Sequence, residues 1–357
     1  MKFSFLLLLT IFVCSGYLSM AQNDSTVIDT SSTLVVAENQ EAELAYNQGI
    51  ELISQKSFTE AISKFSEAIS FKSDFSKAFY NRGLAYLELD QLENAATDFK
   101  KTLEFDKANG KAYFSLGLVN FKKQDYSNAI TNFDLSFRAG FQSYDLFYLL
   151  GQSYFQMKDY QKAIESFTLA IKQDNSKWEV LNDRGSAYRQ NGDLEKAITD
   201  YQAASKINPT AALIYNNLGS ALRKKDDNDD AILNYGLAIK MDDSNPLFYN
   251  NRGAAYYQQK KYDQAIKDYK KAISLKPDYA YAYNNLGAAQ MKKKDYDAAI
   301  KSFEKAISIN KTYQQAYINL GSAKEMKNDI AGALEAWGLA VKNGAEDAQQ
   351  YINYYKY

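Results

Sequence analysis

Nine glycines stand in one frame: Gly49, Gly83, Gly117, Gly151, Gly185, Gly219, Gly253, Gly287 and Gly321, each 34 residues after the last. Twelve residues after each is an alanine, from Ala61, Ala95 and Ala129 to Ala333. Four further on is an aromatic: Phe65, Phe99, Phe133, Phe167, Tyr201, Tyr235, Tyr269, Phe303 and Trp337. The glycine frame alone has a chance probability of about 10⁻¹² at ordinary glycine content, so the chain is a tandem repeat. A unit this short cannot bury its apolar face alone, and neighbours must stack to form one continuous core.

Each repeat reads as two short helices. In the seventh, Phe248 to Gln259 forms a first helix, Lys260-Lys261 a turn and Tyr262 to Ile273 a second helix, with Pro277 closing the loop. A glycine inside a helix costs about 1 kcal/mol relative to alanine. Nine such glycines therefore imply close packing, and the frame alanine is expected to meet each one, with the aromatic filling the space beside that contact.

This pattern resembles the tetratricopeptide repeat family. The resemblance covers Ala42 to Asp347, in repeats 42–75, 76–109, 110–143, 144–177, 178–211, 212–245, 246–279, 280–313 and 314–347. It implies an all-α fold, a right-handed solenoid superhelix of antiparallel hairpins. The first helix of each repeat (helix A) would line a concave surface that in the family binds peptides or protein segments.

Three departures mark places where stacking should weaken: proline in only two inter-repeat loops (Pro209, Pro277), Asn228 at the start of the sixth second helix, and the loop Phe137 to Phe141. Residues 348–357 carry Ala348, Tyr351, Ile352 and Tyr355 on one stripe, as expected of a capping helix.

Arg82, Arg184 and Arg252 precede their frame glycines. Only their repeats carry aspartate sixteen residues later: Asp98, Asp200 and Asp268. Hairpin geometry sets these positions face to face, which predicts three structural salt bridges. The run Asp226 to Asp230 invites a calcium reading. It has Ala231 and Leu237 where a calcium loop needs glycine and glutamate, so charge for a helix start is expected instead.

The family frame assigns the groove positions. Two residues before the frame glycine, six of nine residues are asparagine: Asn47, Asn81, Asn217, Asn251, Asn285 and Asn319. One residue earlier the first four repeats give Tyr46, Tyr80, Phe114 and Tyr148, and the next four give Asn182, Asn216, Asn250 and Asn284. The expectation is an aromatic half-groove followed by an amide-lined one. An asparagine amide both donates and accepts, so a ladder of them suits an extended peptide backbone. It is similar to the asparagine ladder in the repeat domain of O-linked N-acetylglucosamine transferases. Phe121 and Phe155 add apolar area to the first half, and Arg189 and Arg223 add charge to the second. The two-carboxylate clamp of chaperone-tail binders is not expected: Lys77 and Lys111 match one clamp position, but its other partners are missing.

Composition narrows function. Lys and Arg number 42 against 43 Asp and Glu, so no basic excess points to nucleic acid. Histidine is absent and the single cysteine is Cys14, which excludes Ser-His-Asp, Cys-His and ordinary zinc chemistry from the repeats. No metal or other cofactor is expected. Met1-Lys2, the apolar run Phe3 to Val13 and the small-x-small site Ser19-Met20-Ala21 have the order of a secretory signal peptide, residues 1–21. Residues 22–41 read as a flexible polar tether.

The expected function is a non-catalytic protein-interaction scaffold outside the cytoplasm, whether periplasmic, at the cell surface or secreted. Its groove would hold a protein or peptide, such as an envelope-assembly component. Carbohydrate or cell-wall binding is the alternative, and a carboxylate-based hydrolase the remote one. Oligomeric state is left open.

Overall fold

The computed structural model describes residues 40–355. The expected signal peptide, with Cys14, and residues 22–39 of the tether lie outside the described residues. Gln40 and Glu41, assigned above to the tether, are the first residues of a helix.

The chain divides into two compact units between Ala170 and Ile171. The first contains hairpins α1 (Gln40–Ser54) with α2 (Phe58–Phe71), α3 (Ser76–Glu88) with α4 (Leu92–Phe105), α5 (Gly110–Lys122) with α6 (Tyr126–Arg138), and α7 (Tyr144–Gln156) with most of α8 (Tyr160–Gln173). The second contains α9 (Trp178–Asn191) with α10 (Leu194–Ile207), α11 (Ala212–Lys224) with α12 (Asn228–Met241), α13 (Pro246–Gln258) with α14 (Tyr262–Leu275), α15 (Ala280–Lys292) with α16 (Tyr296–Ile309), and α17 (Gln314–Met326) with α18 (Ile330–Lys342). A short 3₁₀ turn, Glu346–Ala348, leads to α19 (Gln349–Tyr354). No strand occurs among the described residues. The fold is an all-α solenoid of helix hairpins.

One turn geometry joins every hairpin. Lys56, Asp90, Gln124, Lys158, Gly192, Asp226, Lys260, Lys294 and Asn328 all have positive φ and recur every 34 residues. The N–H of the next residue returns to a carbonyl five residues back, as from Gln91 to Tyr86 at 2.8 Å and from Lys261 to Tyr256 at 2.9 Å. This left-handed stop satisfies the last carbonyls of the first helix. The same residue then starts the second helix. Asp125, Asp159, Asp295 and Asp329 each accept a backbone N–H three residues on, at 2.9–3.2 Å. A left-handed conformation costs about 1–2 kcal/mol at a residue with a side chain. Eight of the nine positions bear that cost and only Gly192 escapes it. Asp226 holds the turn position in the acidic run, and Asp229 accepts from Gln259 Nε2 at 2.8 Å.

The frame glycines meet aromatic rings. A Cβ on Gly117 would stand 2.6 Å from Cδ1 of Phe133, and one on Gly321 would stand 2.3 Å from Nε1 of Trp337. All nine stand against the aromatic sixteen residues later. The partner is thus the ring, not the alanine expected above. The alanine contributes backbone: its carbonyl lies 3.2 Å from the Gly185 position and 3.1 Å from that of Gly219. The alanine stays small because it too is buried, fully so from Ala61 to Ala333.

Within the first unit, α6 meets α7 more sparsely than α2 meets α3. This is the junction of the Phe137 to Phe141 loop. There α6 stops at Arg138, Gly140 turns the chain at φ +85°, and Phe141 packs on Phe114 with ring centroids 5.3 Å apart. At the other end, Tyr351 and Tyr355 stack on Trp337 at 5.3 and 6.1 Å, covering a ring that would otherwise face solvent. The hydroxyl of Tyr355 donates to Glu325 at 2.6 Å.

Candidate functional site

Successive first helices touch one another in both units: α1 with α3, α3 with α5 and α5 with α7, then α9 with α11 through α15 with α17. They therefore line the tighter face of each unit. The two positions before the frame glycine sit there and are joined across repeats by bonds spanning 35 residues. In the second unit Nδ2 of Asn217 donates to Oδ1 of Asn182 at 2.9 Å, and Asn251 to Asn216 at 2.9 Å. Asn285 donates to Asn250 at 3.0 Å and Asn319 to Asn284 at 2.9 Å. In the first unit Asn81 donates to the hydroxyl of Tyr46 at 2.8 Å, and Ser115 lies 3.5 Å from that of Tyr80.

The ladder is thus a set of staples between neighbouring first helices. Asn182, Asn216, Asn250 and Asn284 are buried; Asn251, Asn285 and Asn319 are half-buried; Asn47, with no repeat before it in the frame, is exposed. Each staple uses one N–H of the donor amide. Asn251 and Asn285 keep their Oδ1 and second N–H free of described protein partners, while Oδ1 of Asn319 takes Nε2 of Gln315 at 3.0 Å.

The aromatic quartet is not an open patch. Tyr46, Tyr80, Phe114 and Tyr148 lie 5.8–5.9 Å from Phe65, Phe99, Phe133 and Phe167. Phe114 is only 4% exposed, and burial raises the pKa of Tyr80, opposed by its Ser115 contact. The cause is positional. One turn before the glycine, a side chain points at the same ring that the glycine admits. Phe121 and Phe155 are half-buried, with edge contacts to Tyr126 and Tyr160 at 5.7 and 5.5 Å.

The three Arg–Asp couples are bidentate ion pairs. Arg82 Nε reaches Oδ2 of Asp98 at 2.7 Å and its Nη2 reaches Oδ1 at 2.8 Å; Arg184 with Asp200 and Arg252 with Asp268 repeat both distances. The aspartates are buried and the arginines partly so. Hydrogen bonding to Asp98 and Asp268 raises the pKa of Arg82 and Arg252. Arg82 also donates to Ser66 of the preceding repeat at 2.9 Å. These pairs hold hairpins together away from the amide ladder.

Sequence reasoning missed the hydroxyl pairs beneath the second unit's groove. Tyr201 and Tyr235 bond Ser186 and Ser220 at 3.0 and 3.1 Å. The signal was there in repeats five and six, where serine follows the frame glycine and the frame aromatic is Tyr; repeat seven has Ala254 with Tyr269 and forms no such pair among the described bonds. The 35-residue staples were also legible, since Tyr46 precedes Asn81 whereas the apolar Phe114 precedes the apolar Leu149.

Family comparison agrees with this geometry. Profiles of the tetratricopeptide repeat match residues 80–140, 144–176 and 280–313, and a profile described as TPR repeat matches 185–226, 219–260 and 255–294. The chain belongs to the tetratricopeptide repeat family. Among curated proteins none matches it. Among solved structures, that of the APC/C hetero-tetramer Cut9-Hcn1 aligns at TM-score 0.55 and 16% identity, over 87% of this chain and 75% of that one. The C-terminal part of a TPR repeat-containing protein from Cytophaga hutchinsonii aligns at TM-score 0.53 and 22% identity, over 66% and 98%. YrrB, a TPR protein with an unusual peptide-binding site, aligns at TM-score 0.50 and 24% identity, over 52% and 95%. At these identities the likeness establishes the fold.

Proposed function

We propose that the protein is a non-catalytic scaffold that grips an extended peptide segment of a partner along its first-helix faces, and that it acts outside the cytoplasm. One observation carries the reading. The amides of Asn251 and Asn285 are held in place by Asn216 and Asn250, yet each keeps one acceptor and one donor free. An amide already immobilised loses little further freedom when a peptide group pairs with it. Two amides in successive repeats suit a regular backbone more than a compact ligand. YrrB and Cut9-Hcn1, which share the fold, are described respectively by a peptide-binding site and by a hetero-tetramer. Export rests on the order of charge, apolar run and cleavage site in residues 1–21. The packed state of Tyr46, Tyr80, Phe114 and Tyr148 leaves few ring faces for stacking sugars, which weighs against carbohydrate binding.

The test is a peptide array and a glycan array probed with the same preparation, followed by N-methylation of each bound peptide at successive residues. Loss of one backbone bond should weaken binding by about tenfold at positions about three residues apart. Peptide binding indifferent to N-methylation at every position, or binding to glycans alone, would sink the proposal.

A further inference from the structure

The second unit carries two arginines on its first-helix faces to which the fold gives no described carboxylate partner. Arg189 and Arg223 are 34 residues apart, four residues after their frame glycines, so they occupy equivalent places on adjacent helices α9 and α11. Arg82, Arg184 and Arg252 each hold a buried aspartate, whereas neither Arg189 nor Arg223 enters an ion pair among the described residues. The Nε of each is buried without a hydrogen-bond partner. The partners of both guanidiniums are neutral: Arg189 hydrogen-bonds the hydroxyl of Tyr201, and Arg223 Nη1 donates to Oε1 of Gln258 at 3.3 Å. Lys224, beside Arg223, spends its ammonium on the carbonyl of Arg189 at 3.3 Å, a neutral acceptor. Glu195 is paired with Lys225 at 2.6 Å and Asp193 with Lys196 at 3.4 Å, and Asp183 on α9 accepts from Nδ2 of Asn182 at 3.2 Å. None of Arg189, Arg223 and Lys224 is in an ion pair among the described residues. In the other repeats the same helix position holds Ile53, Leu87, Phe121, Phe155, Tyr257, Met291 and Glu325, so positive charge at this position is confined to these two repeats.

A half-buried guanidinium with only neutral partners has shed solvent without gaining a carboxylate for its charge. A planar fork of donors matches a carboxylate, and such charge-assisted pairs are stronger than neutral hydrogen bonds. We infer that Arg189 and Arg223 receive two carboxylates of an acidic peptide segment of a partner protein, lying extended across α9 and α11. The inference rests on the peptide-binding reading above and adds the chemistry of the peptide. Neighbouring helix axes lie about 10 Å apart. In the polyproline II form of an extended chain, which rises about 3.1 Å per residue and returns every third side chain to the same side, the two acidic residues should therefore be spaced about three apart. Asn251 and Asn285 of the following repeats would continue along the backbone of the same segment.

The test is selection from a random peptide library, about a dozen residues long, on the full chain and on the double variant R189Q/R223Q. Circular dichroism and thermal melting confirm that both are folded. The wild type should enrich peptides with Asp or Glu pairs at the stated spacing. Their Asn and Gln copies should bind about tenfold more weakly or worse, and affinity should fall with added salt. R189Q/R223Q should lose the acidic preference, while R189K/R223K, which keeps charge without the fork, should retain part of it. Enriched peptides that are neutral, or acidic peptides held equally by R189Q/R223Q, would overturn the inference while leaving the scaffold reading intact. Heparin or single-stranded DNA bound as tightly as the acidic peptides would overturn it in favour of an unspecific anion surface. No peptide enriched at all would overturn both readings.

Discussion

The side-chain amide of Asn217 donates to that of Asn182 at 2.9 Å, across 35 residues of chain and between the first helices of two successive repeats. Both are buried, Asn182 at 4% and Asn217 at 9% exposure. A buried amide without its partner keeps the cost of its lost hydration, about 1–3 kcal/mol. Asn182→Leu should therefore destabilise the protein by that amount. Asn182→Leu with Asn217→Leu should cost less than the two single changes added, because the chain already carries an apolar version of the couple in Phe114 and Leu149. Urea melts of the double-mutant cycle would show the coupling, and strict additivity would count against the staple.

Two glycines should respond to alanine with opposite signs. At Gly117 the new methyl would meet the buried Phe133 ring at 2.6 Å, and overpacking of about 1–3 kcal/mol should outweigh the gain in helix propensity. At Gly338, within α18, nothing lies within 4 Å, and the substitution should stabilise by about 1 kcal/mol. Thermal unfolding midpoints of G117A and G338A should move apart, and a common shift would be the wrong result.

Arg252→Leu would strand Asp268 inside the hairpin, 4% exposed, and should cost about 3–5 kcal/mol. Arg252→Leu with Asp268→Asn should recover most of that, since the sixth repeat holds Leu218 and Asn234 at these two positions. Chemical denaturation of the single and double variants tests this, and equal losses in both would contradict it.

The cap should be sensitive to alkali. Hydrogen bonding to Glu325, with burial adding, pushes the Tyr355 hydroxyl up to about 12 from an ordinary value of 10.0. The folded state thus holds this proton more tightly than the unfolded state. The stabilisation is fully present below pH 10 and is lost as pH rises through about 12. Stability curves of wild type and Tyr355→Phe should differ by a constant amount up to pH 10 and converge above it. A difference that grows with pH would contradict the assignment.

Much of this was legible in order along the chain. Gly49 to Gly321 fixed the repeat, and the coincidence of Arg82, Arg184 and Arg252 with Asp98, Asp200 and Asp268 pointed across each hairpin. Tyr46, Tyr80, Phe114 and Tyr148 were harder. Clustered aromatics on a helix face look alike whether they meet solvent or a ring, and the difference is the angle at which the second helix crosses. The positive φ at Lys56, Asp90 and their equivalents carried little signal, because Lys, Asp, Gln and Asn all occupy the position where glycine would have announced it.

The sequence by itself determined the period, the two helices in each period and the residues that must pack where they meet. Those depend on spacing along the chain, which is local and periodic. Only the tertiary structure decided what each polar side chain does. It turned the asparagines into staples between repeats, gave three arginines an aspartate and left Arg189 and Arg223 without one. Hydrogen bonds act over about 3 Å, and whether two amides 35 residues apart come that close depends on how one hairpin is rotated against the next. That rotation is set by the side chains packed between neighbouring hairpins, which no local spacing along the chain specifies.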